Sequence, residues 1–209
     1  YVKQLYLRQQ QPGQLVPIGQ LASVMGVTPG TATSMVKALA DSGLVEYAPR
    51  SGVRLTRGGE LLALHVLRRH RLIELFLVKM LGMDWSEVHH EAEELEHAIS
   101  EKVLQAIDSA LGHPLVDPHG DPIPSAKGRI APGSALSLAA CGLRRRVRIC
   151  RVLDQQPKFL QLAERLGLMP GAVVRVEDRD EVAGTMIVSH ADGAAVTLGV
   201  AAGRQILVE

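Results

Sequence analysis

The chain has 209 residues, of which 46% are apolar but only 3% aromatic, so its cores must be built from Leu, Val, Ala and Ile. There is no apolar run of the roughly 18 residues that a membrane helix needs, and Tyr1-Val2-Lys3-Gln4-Leu5 lacks signal-peptide character, so a soluble cytoplasmic protein is expected. A net charge of +1 hides a segregation: residues 1–70 carry eight Lys/Arg against three Asp/Glu, 71–131 five against eleven, and 132–209 ten against eight. A basic first third suits a polyanion partner and an acidic middle suits a bound cation. Cys141 and Cys150 are distant from the acidic segment and are expected to be buried as small apolar residues rather than disulfide-bonded.

Residues 1–11 read as a helix with Val2, Leu5 and Tyr6 on one side, ended by Pro12-Gly13. Pro17 opens a second helix through Met25, and Gly26 closes it. Thr28 is placed as an N-cap with Pro29 at the first helical position, and this third helix runs to Ser42 with Met35, Val36 and Leu39 inward. Residues 44–47 and 53–55 read as strands around the turn 48–52, and Thr56 caps a long helix to Leu81. The order is that of a helix–turn–helix with a β-wing, or else of any small helical domain with a hairpin. On the first reading Thr28, Pro29, Gly30, Thr31, Thr33, Ser34 and Lys37 of the third helix approach DNA, short side chains that permit close contact with phosphates and base edges. Arg50 and Arg54 of the wing, with Arg57 after it, would hold the backbone; few long base-reading side chains are present, so DNA shape carries part of the specificity.

The middle reads as two helices, 57–81 and 85–111. Residues 89–97, His-His-Glu-Ala-Glu-Glu-Leu-Glu-His, place seven ligand-type side chains in nine positions. At about 100° per residue, His89, Glu93, Glu96 and His97 share one arc, while Val88, Ala92, Leu95, Ile99 and Val103 form a separate apolar stripe. His70 and Glu74, four apart, share a face of the preceding helix, and the two groups can converge on one or two cations. Imidazole and carboxylate without thiolate suit Mn(II), Fe(II) or Zn(II). The competing reading is a solvated polar helix face. Leu95, Ile99, Val103, Leu104, Ile107 and Leu111 offer more apolar surface than one neighbour needs, which predicts dimer packing and fits a two-fold protein on a palindromic site. Residues 113–133 are rich in Pro and Gly and read as an ordered turn followed by a linker.

Beyond residue 134, strands are expected around 147–152, 173–176, 186–188, 195–198 and 205–208, with a short helix at 159–166, a spacing that suggests a small barrel. Arg144-Arg145-Arg146 reads as a solvated start to the first strand, with nucleic-acid binding as the alternative.

Three motifs behind the wing carry a resemblance: His70-Arg71-Leu72-Ile73-Glu74, the run Val88 to His97, and Pro118-His119-Gly120-Asp121-Pro122-Ile123-Pro124. In order and spacing the chain resembles the diphtheria-toxin-repressor and manganese-transport-regulator family of dimeric, metal-activated repressors. The resemblance implies a mainly α protein with small β parts: a winged helix–turn–helix at 1–63, a helical dimerisation and metal domain at 64–131, and an SH3-like (FeoA-like) β-barrel at 132–209. It implies metal-ligand roles for His70, Glu74, His89, Glu93, Glu96 and His97, with Asp117, Asp154 and Gln155 as further candidates. Glu93 stands where iron-responsive members have Cys and manganese-responsive members have Glu, which favours Mn(II) over Fe(II); Zn(II), Co(II) or Cd(II) are expected as surrogates. Two departures weigh on the site: a family ligand falls just before Tyr1, and Lys3 stands where the manganese branch has a Glu.

The expected activity is metal-controlled repression of metal-homeostasis genes by a homodimer bound to double-stranded DNA, with no enzymatic step. In this reading the cation neutralises clustered carboxylates and biases the dimer toward the spacing its operator requires. Three rivals remain at this point. A di-metal carboxylate oxidase would use the Glu-x-x-His spacing of Glu94 to His97, yet its partner spacing at Glu87 to His90 lies on the same helix. A zinc hydrolase lacks its His-Glu-x-x-His pattern. A metal-independent winged-helix repressor would use the cluster only as structure.

Overall fold

The computed structural model describes residues 1–9, 11, 13–130 and 135–209. The chain divides into two units, residues 1–69 with 124–129 and residues 70–123 with 130–209.

The first unit is built from α1 (Val2–Arg8), α2 (Ile18–Val24), α3 (Pro29–Asp41), β1 (Val45–Ala48), β2 (Gly52–Leu55) and the leading part of α4 (Arg57–Leu81). Helix α1 ends earlier than its sequence suggests. Gln9 is extended, and its side-chain oxygen accepts the Leu55 amide at 3.2 Å, so the residue serves β2 instead of a further helical turn. The expected Pro12 stop lies outside the described residues. Thr28 caps α3 by accepting the Thr31 amide. β1 and β2 pair antiparallel from Val45↔Leu55 to Ala48↔Gly52, and Val16 bridges to Val53. Leu5, Leu21, Val36, Val45, Val53 and Leu55 close the core beneath this wing. Met35, expected inward, is exposed, because it falls about 100° from Val36 and off the arc centred on Ala32 and Val36. The Thr56 hydroxyl accepts the Gly59 amide, as expected of a cap, and reaches back to the carbonyls of Gly43 and Leu44.

The second unit begins inside α4. Where one helix over 85–111 was expected, there are two: α5 (Val88–Ala98) and α6 (Glu101–Ala110). Ile99 is extended and Ser100 restarts the helix, its hydroxyl accepting the Val103 amide at 3.3 Å. Residues 85–87 form a turn held by Asp84, which accepts the Ser86 amide. The break resets the helical phase, so Leu104 and Ile107 are buried while Val103, expected in one stripe with Ala92 and Ile99, is exposed. Leu72, Ile73, Val88, Ala92, Leu104 and Ile123 form the helical core.

The remainder holds β3 (Leu136–Ser137), β4 (Arg146–Val152), α7 (Pro157–Arg165), β5 (Val173–Asp180), β6 (Thr185–His190), β7 (Ala195–Gly199), α8 (Val200–Gly203) and β8 (Ile206–Val208). The strand order is β3-β8-β4-β5-β6-β7, every pairing antiparallel. Strand β4 gives residues 146–148 to β5 and residues 149–152 to β8, with a register shift between Ile149 and Arg151. A bulge there lets one strand turn from one sheet into the next, the means by which a small SH3-like barrel curls. Trp85, in the α4–α5 connection, packs into the core of this barrel with Leu138, Ile149, Val152 and Leu160, so a residue of the helical segment is part of the β-domain's core. Among the described residues no helix is long and apolar enough to cross a membrane.

Removing the cap that separates α5 from α6 tests how much the break matters. Ser100→Ala is expected to destabilise the chain by about 1 kcal/mol, read as a lower urea midpoint with an unchanged m-value.

Candidate metal centre

The site is assembled around two side chains one helical turn apart on α4. His70 and Glu74 are both buried, with His70 Nε2 3.0 Å from Glu74 Oε1. Helix α5 brings His89 and Glu96 to them. His70 Nδ1 donates to Glu96 Oε2 at 2.8 Å, so its other nitrogen faces Glu74 and lies 3.0 Å from His89 Nδ1. His89 Nδ1 is also 3.1 Å from Glu74 Oε1. Ligand atoms of His70, Glu74 and His89 all fall within 4.8 Å of one another. Glu93 and His97 are on the outer side: Glu93 Oε1 is 3.9 Å from His89 Nε2, and His97, largely exposed, is 3.7 Å from Glu96 Oε1.

A second cluster lies across Glu74. Ligand atoms of Glu74, Asp117 and His119 also sit within 4.8 Å of one another, and all three residues are buried. His119 lies within the Pro118–Pro124 motif, where no helical period marks it as a ligand. Two signals could have singled it out: the Asp-Pro-His spacing, which puts two donors two residues apart in one turn, and the glycine that follows. Asp117 Oδ1 accepts the amides of His119 and Asp121, both at 2.9 Å, and so shapes the loop. Gly120 has φ +86, and a Cβ there would fall 1.9 Å from the Cys150 carbonyl oxygen, so only glycine lets the loop press against β4. The Val152 amide donates to the His119 carbonyl, fastening the loop to the strand.

His119 decides whether this set suits a cation. Its Nε2 lies 2.9 Å from the Trp85 carbonyl, which only accepts, so Nε2 carries the proton and Nδ1 presents a lone pair. That Nδ1 is buried with no hydrogen-bond partner, beside two carboxylates. An orphaned buried acceptor costs about 1–3 kcal/mol, and a cation would remove that cost. The backbone partner fixing the tautomer is the usual support of a metal-bound imidazole. The residues therefore fit a divalent ion with oxygen and nitrogen donors.

The electrostatics agree. Burial raises the Glu74 pKa, but hydrogen bonds from His70 and His89 outweigh it and hold the carboxylate well below its usual range. Asp117 goes the other way: burial, Asp121 and Glu74 together push it well above, against the opposing pull of Arg71. Arg71 sits 3.5 Å from Asp117 and 3.6 Å from Asp121, and Arg151 also pairs with Asp121. Gln155 donates its amide to Asp121 Oδ2 at 2.5 Å, which leaves it one residue removed from Asp117. Asp154 accepts the Gln156 amide ahead of α7, and the structure brings it into neither cluster. Lys3 is buried in α1.

On α3, Thr28, Pro29, Gly30, Thr31, Ser34 and Lys37 are exposed and Thr33 is half-buried. Thr33 and Ser34 donate their hydroxyls to the carbonyls of Pro29 and Gly30, so their oxygens remain as acceptors. Arg50 occupies the wing turn at φ +69. Arg54 is forked onto Glu46 across the hairpin, at 2.8 and 2.6 Å.

Known proteins resemble this chain in sequence and fold. The chain matches the models for the iron dependent repressor N-terminal DNA binding domain over residues 1–53, the iron dependent repressor metal binding and dimerisation domain over 56–125, and the FeoA domain over 136–209. It is 30% identical to the diphtheria toxin repressor of Corynebacterium diphtheriae over 77% of this chain and 74% of that protein. It belongs to the diphtheria-toxin-repressor family. Members of this family are DNA-binding transcriptional repressors and not enzymes, which disposes of the oxidase and hydrolase readings. The iron-dependent repressor IdeR of Mycobacterium tuberculosis is 39% identical over 45% of this chain, a match spanning 41% of IdeR's own length. Among solved structures, a manganese-dependent transcriptional repressor in complex with manganese is 40% identical, with a TM-score of 0.88 over 100% of this chain and 97% of that one. ScaR with bound Cd2+ is 31% identical with a TM-score of 0.80 over 100% and 97%. The winged helix, helical domain and SH3-like C-terminal domain of the family are all present here.

The loop carrying Asp117 and His119 can be tested through its glycine. Gly120→Ala is expected to destabilise the protein by roughly 2–4 kcal/mol, because backbone stands where the methyl would go, and to weaken divalent-metal binding in calorimetry more than Ser100→Ala does.

Proposed function

We propose that this chain is a Mn(II)-responsive repressor of metal-homeostasis genes, acting as a homodimer on a palindromic operator. The observation that carries the reading is the donor set: His70, Glu74 and His89 converge, and Glu74 converges with Asp117 and His119, through nitrogen and oxygen atoms alone, with Glu96 behind them on His70 Nδ1. Such a set is harder than one with thiolate and suits Mn(II) among the first-row ions. Glu93, carboxylate rather than thiol, stands on the outer side of the same helix. The resemblance to a manganese-dependent repressor over nearly the full length of both chains supports the same choice. Fe(II) is the second reading, favoured by the similarity to IdeR; Zn(II), Co(II) and Cd(II) are expected to occupy the site as surrogates.

His70, Glu74, His89, Glu93, Glu96 and His97 are assigned to one metal position. Asp117 and His119, with Glu74, are assigned to a second. Asp154 and Gln155 are the outermost candidates, Gln155 through Asp121. A divalent ion would add positive charge to that which the buried carboxylates receive from imidazole and from Arg71 and Arg151. Helix α4 is a single helix from Arg57 to Leu81, so side chains that fix its His70–Glu74 turn also act on the helix that starts directly after the wing. Thr28 to Lys37 would meet DNA on α3, with Arg50 and Arg54 against phosphates. The exposed Val103, Leu115 and Val116 supply apolar surface for a second copy. Domain limits are proposed at 63/64 and 131/132; the first falls inside the match to the metal binding and dimerisation domain over 56–125, and the second lies outside the described residues.

The test is operator binding with and without metal. A duplex selected from random sequence in the presence of Mn(II) should bind on the order of 5–150-fold more tightly with the ion than without it, and Glu93→Ala should lose most of that gain. Glu93→Cys should move the preference toward Fe(II). Binding that ignores the metal would sink the co-repressor reading. Fluorescence of Trp85, the only tryptophan in the chain and stacked on His119, gives metal occupancy independently of DNA.

A further inference from the structure

The C-terminal sheet carries a charge arrangement that strand pairing disfavours. Arg146 of β4 and Arg175 of β5 are direct cross-strand partners, and like charges so placed repel. Arg144, Arg145 and Arg148 are exposed along the same stretch. One carboxylate answers this charge: Glu177 accepts from Arg175 Nε at 2.6 Å and from the Ser189 hydroxyl. Arg148 is spent on the Gly171 carbonyl. Among the described residues none pairs with Arg146. Asp192, in the β6–β7 turn, uses a carboxylate oxygen on the Ala194 amide.

Arg146 and Arg175 line a cavity of about 110 Å3 together with Ser189, His190 and Gly193. A phosphate group fits a space of this size. Guanidinium forks match phosphate oxygens in paired hydrogen bonds. Glu177 compensates Arg175, but among the described residues no carboxylate compensates Arg146, and a local rule left broken in this way points to a functional site.

We propose that the Arg146–Arg175 cavity binds a phosphate group. The chemistry is common to inorganic phosphate and to the backbone of a DNA duplex, and the exposed Arg144, Arg145 and Arg148 beside it favour the backbone. This site lies in the C-terminal sheet and does not depend on the metal centre or the wing.

The experiment uses the full chain, wild type against Arg146→Gln and Arg175→Gln, in chloride buffer without metal. Two measurements are made: melting with and without inorganic phosphate, and binding of a random-sequence duplex as a function of salt. In chloride Arg146→Gln should melt no lower than wild type, because it removes repulsion. If the backbone is the source, Arg146→Gln lowers the salt slope of duplex binding by about 1 and phosphate has little effect on melting. If the free ion is the ligand, phosphate raises the wild-type melting temperature, either variant weakens phosphate binding roughly tenfold or more, and the salt slope is unchanged. A wild type that phosphate does not stabilise, together with variants of unaltered salt slope, overturns the proposal.

Discussion

The structure turns on one buried carboxylate. Glu74 stands at the meeting of two clusters, His70 and His89 on one side, Asp117 and His119 on the other. Stripping a carboxylate of water costs several kcal/mol unless charge and hydrogen bonds replace it. Here imidazoles do so, and they hold Glu74 ionised while its neighbour Asp117 is pushed toward its protonated form. Two buried acids with opposite shifts behave as one unit short of positive charge. That shortage is the physical reason for a cation-controlled switch: the arrangement is tolerable without an ion and better with one.

Much of the surrounding architecture serves that unit. The α5 helix delivers His89 and Glu96 only because the 85–87 turn starts it at Val88 and Ser100 ends its phase. The 117–121 loop delivers Asp117 and His119 only because Gly120 lets it lie against β4. Trp85 joins both, its carbonyl fixing the His119 tautomer while its ring enters the barrel core. The C-terminal barrel is thus a supporting wall of the metal centre, through Val152 on the His119 carbonyl and Arg151 and Gln155 on Asp121.

Local signals made most of the elements legible. Thr28-Pro29 started α3, glycines ended its neighbours, and alternating apolar residues marked the strands from β4 to β8. The errors arose where a local signal competed with a distant partner. Gln9 left its helix to bond the wing. The 85–111 pattern read as one helix because its apolar spacing continues through Ile99, while the Ser100 cap that breaks it is a single residue. At the site, His70, Glu74, His89 and Glu96 were readable because helical spacing puts them on known faces. His119 was not, since no periodicity governs a loop, and its importance lies in which ring nitrogen is left free.

By itself the sequence determined the kind of protein: a basic winged helix, an acidic helical segment with nitrogen and oxygen donors in register, and a small β-domain. Helical and strand periods, caps and turn residues are local properties, and composition sets the donor chemistry. Only the tertiary structure brought His70, Glu74 and His89 into one group and Asp117 and His119 into another that shares Glu74, with Asp154 in neither. It also decided that two arginines face each other across β4 and β5. Each of these depends on long-range packing, on a loop pressed against a strand and on a strand register, and neither leaves a period in the sequence.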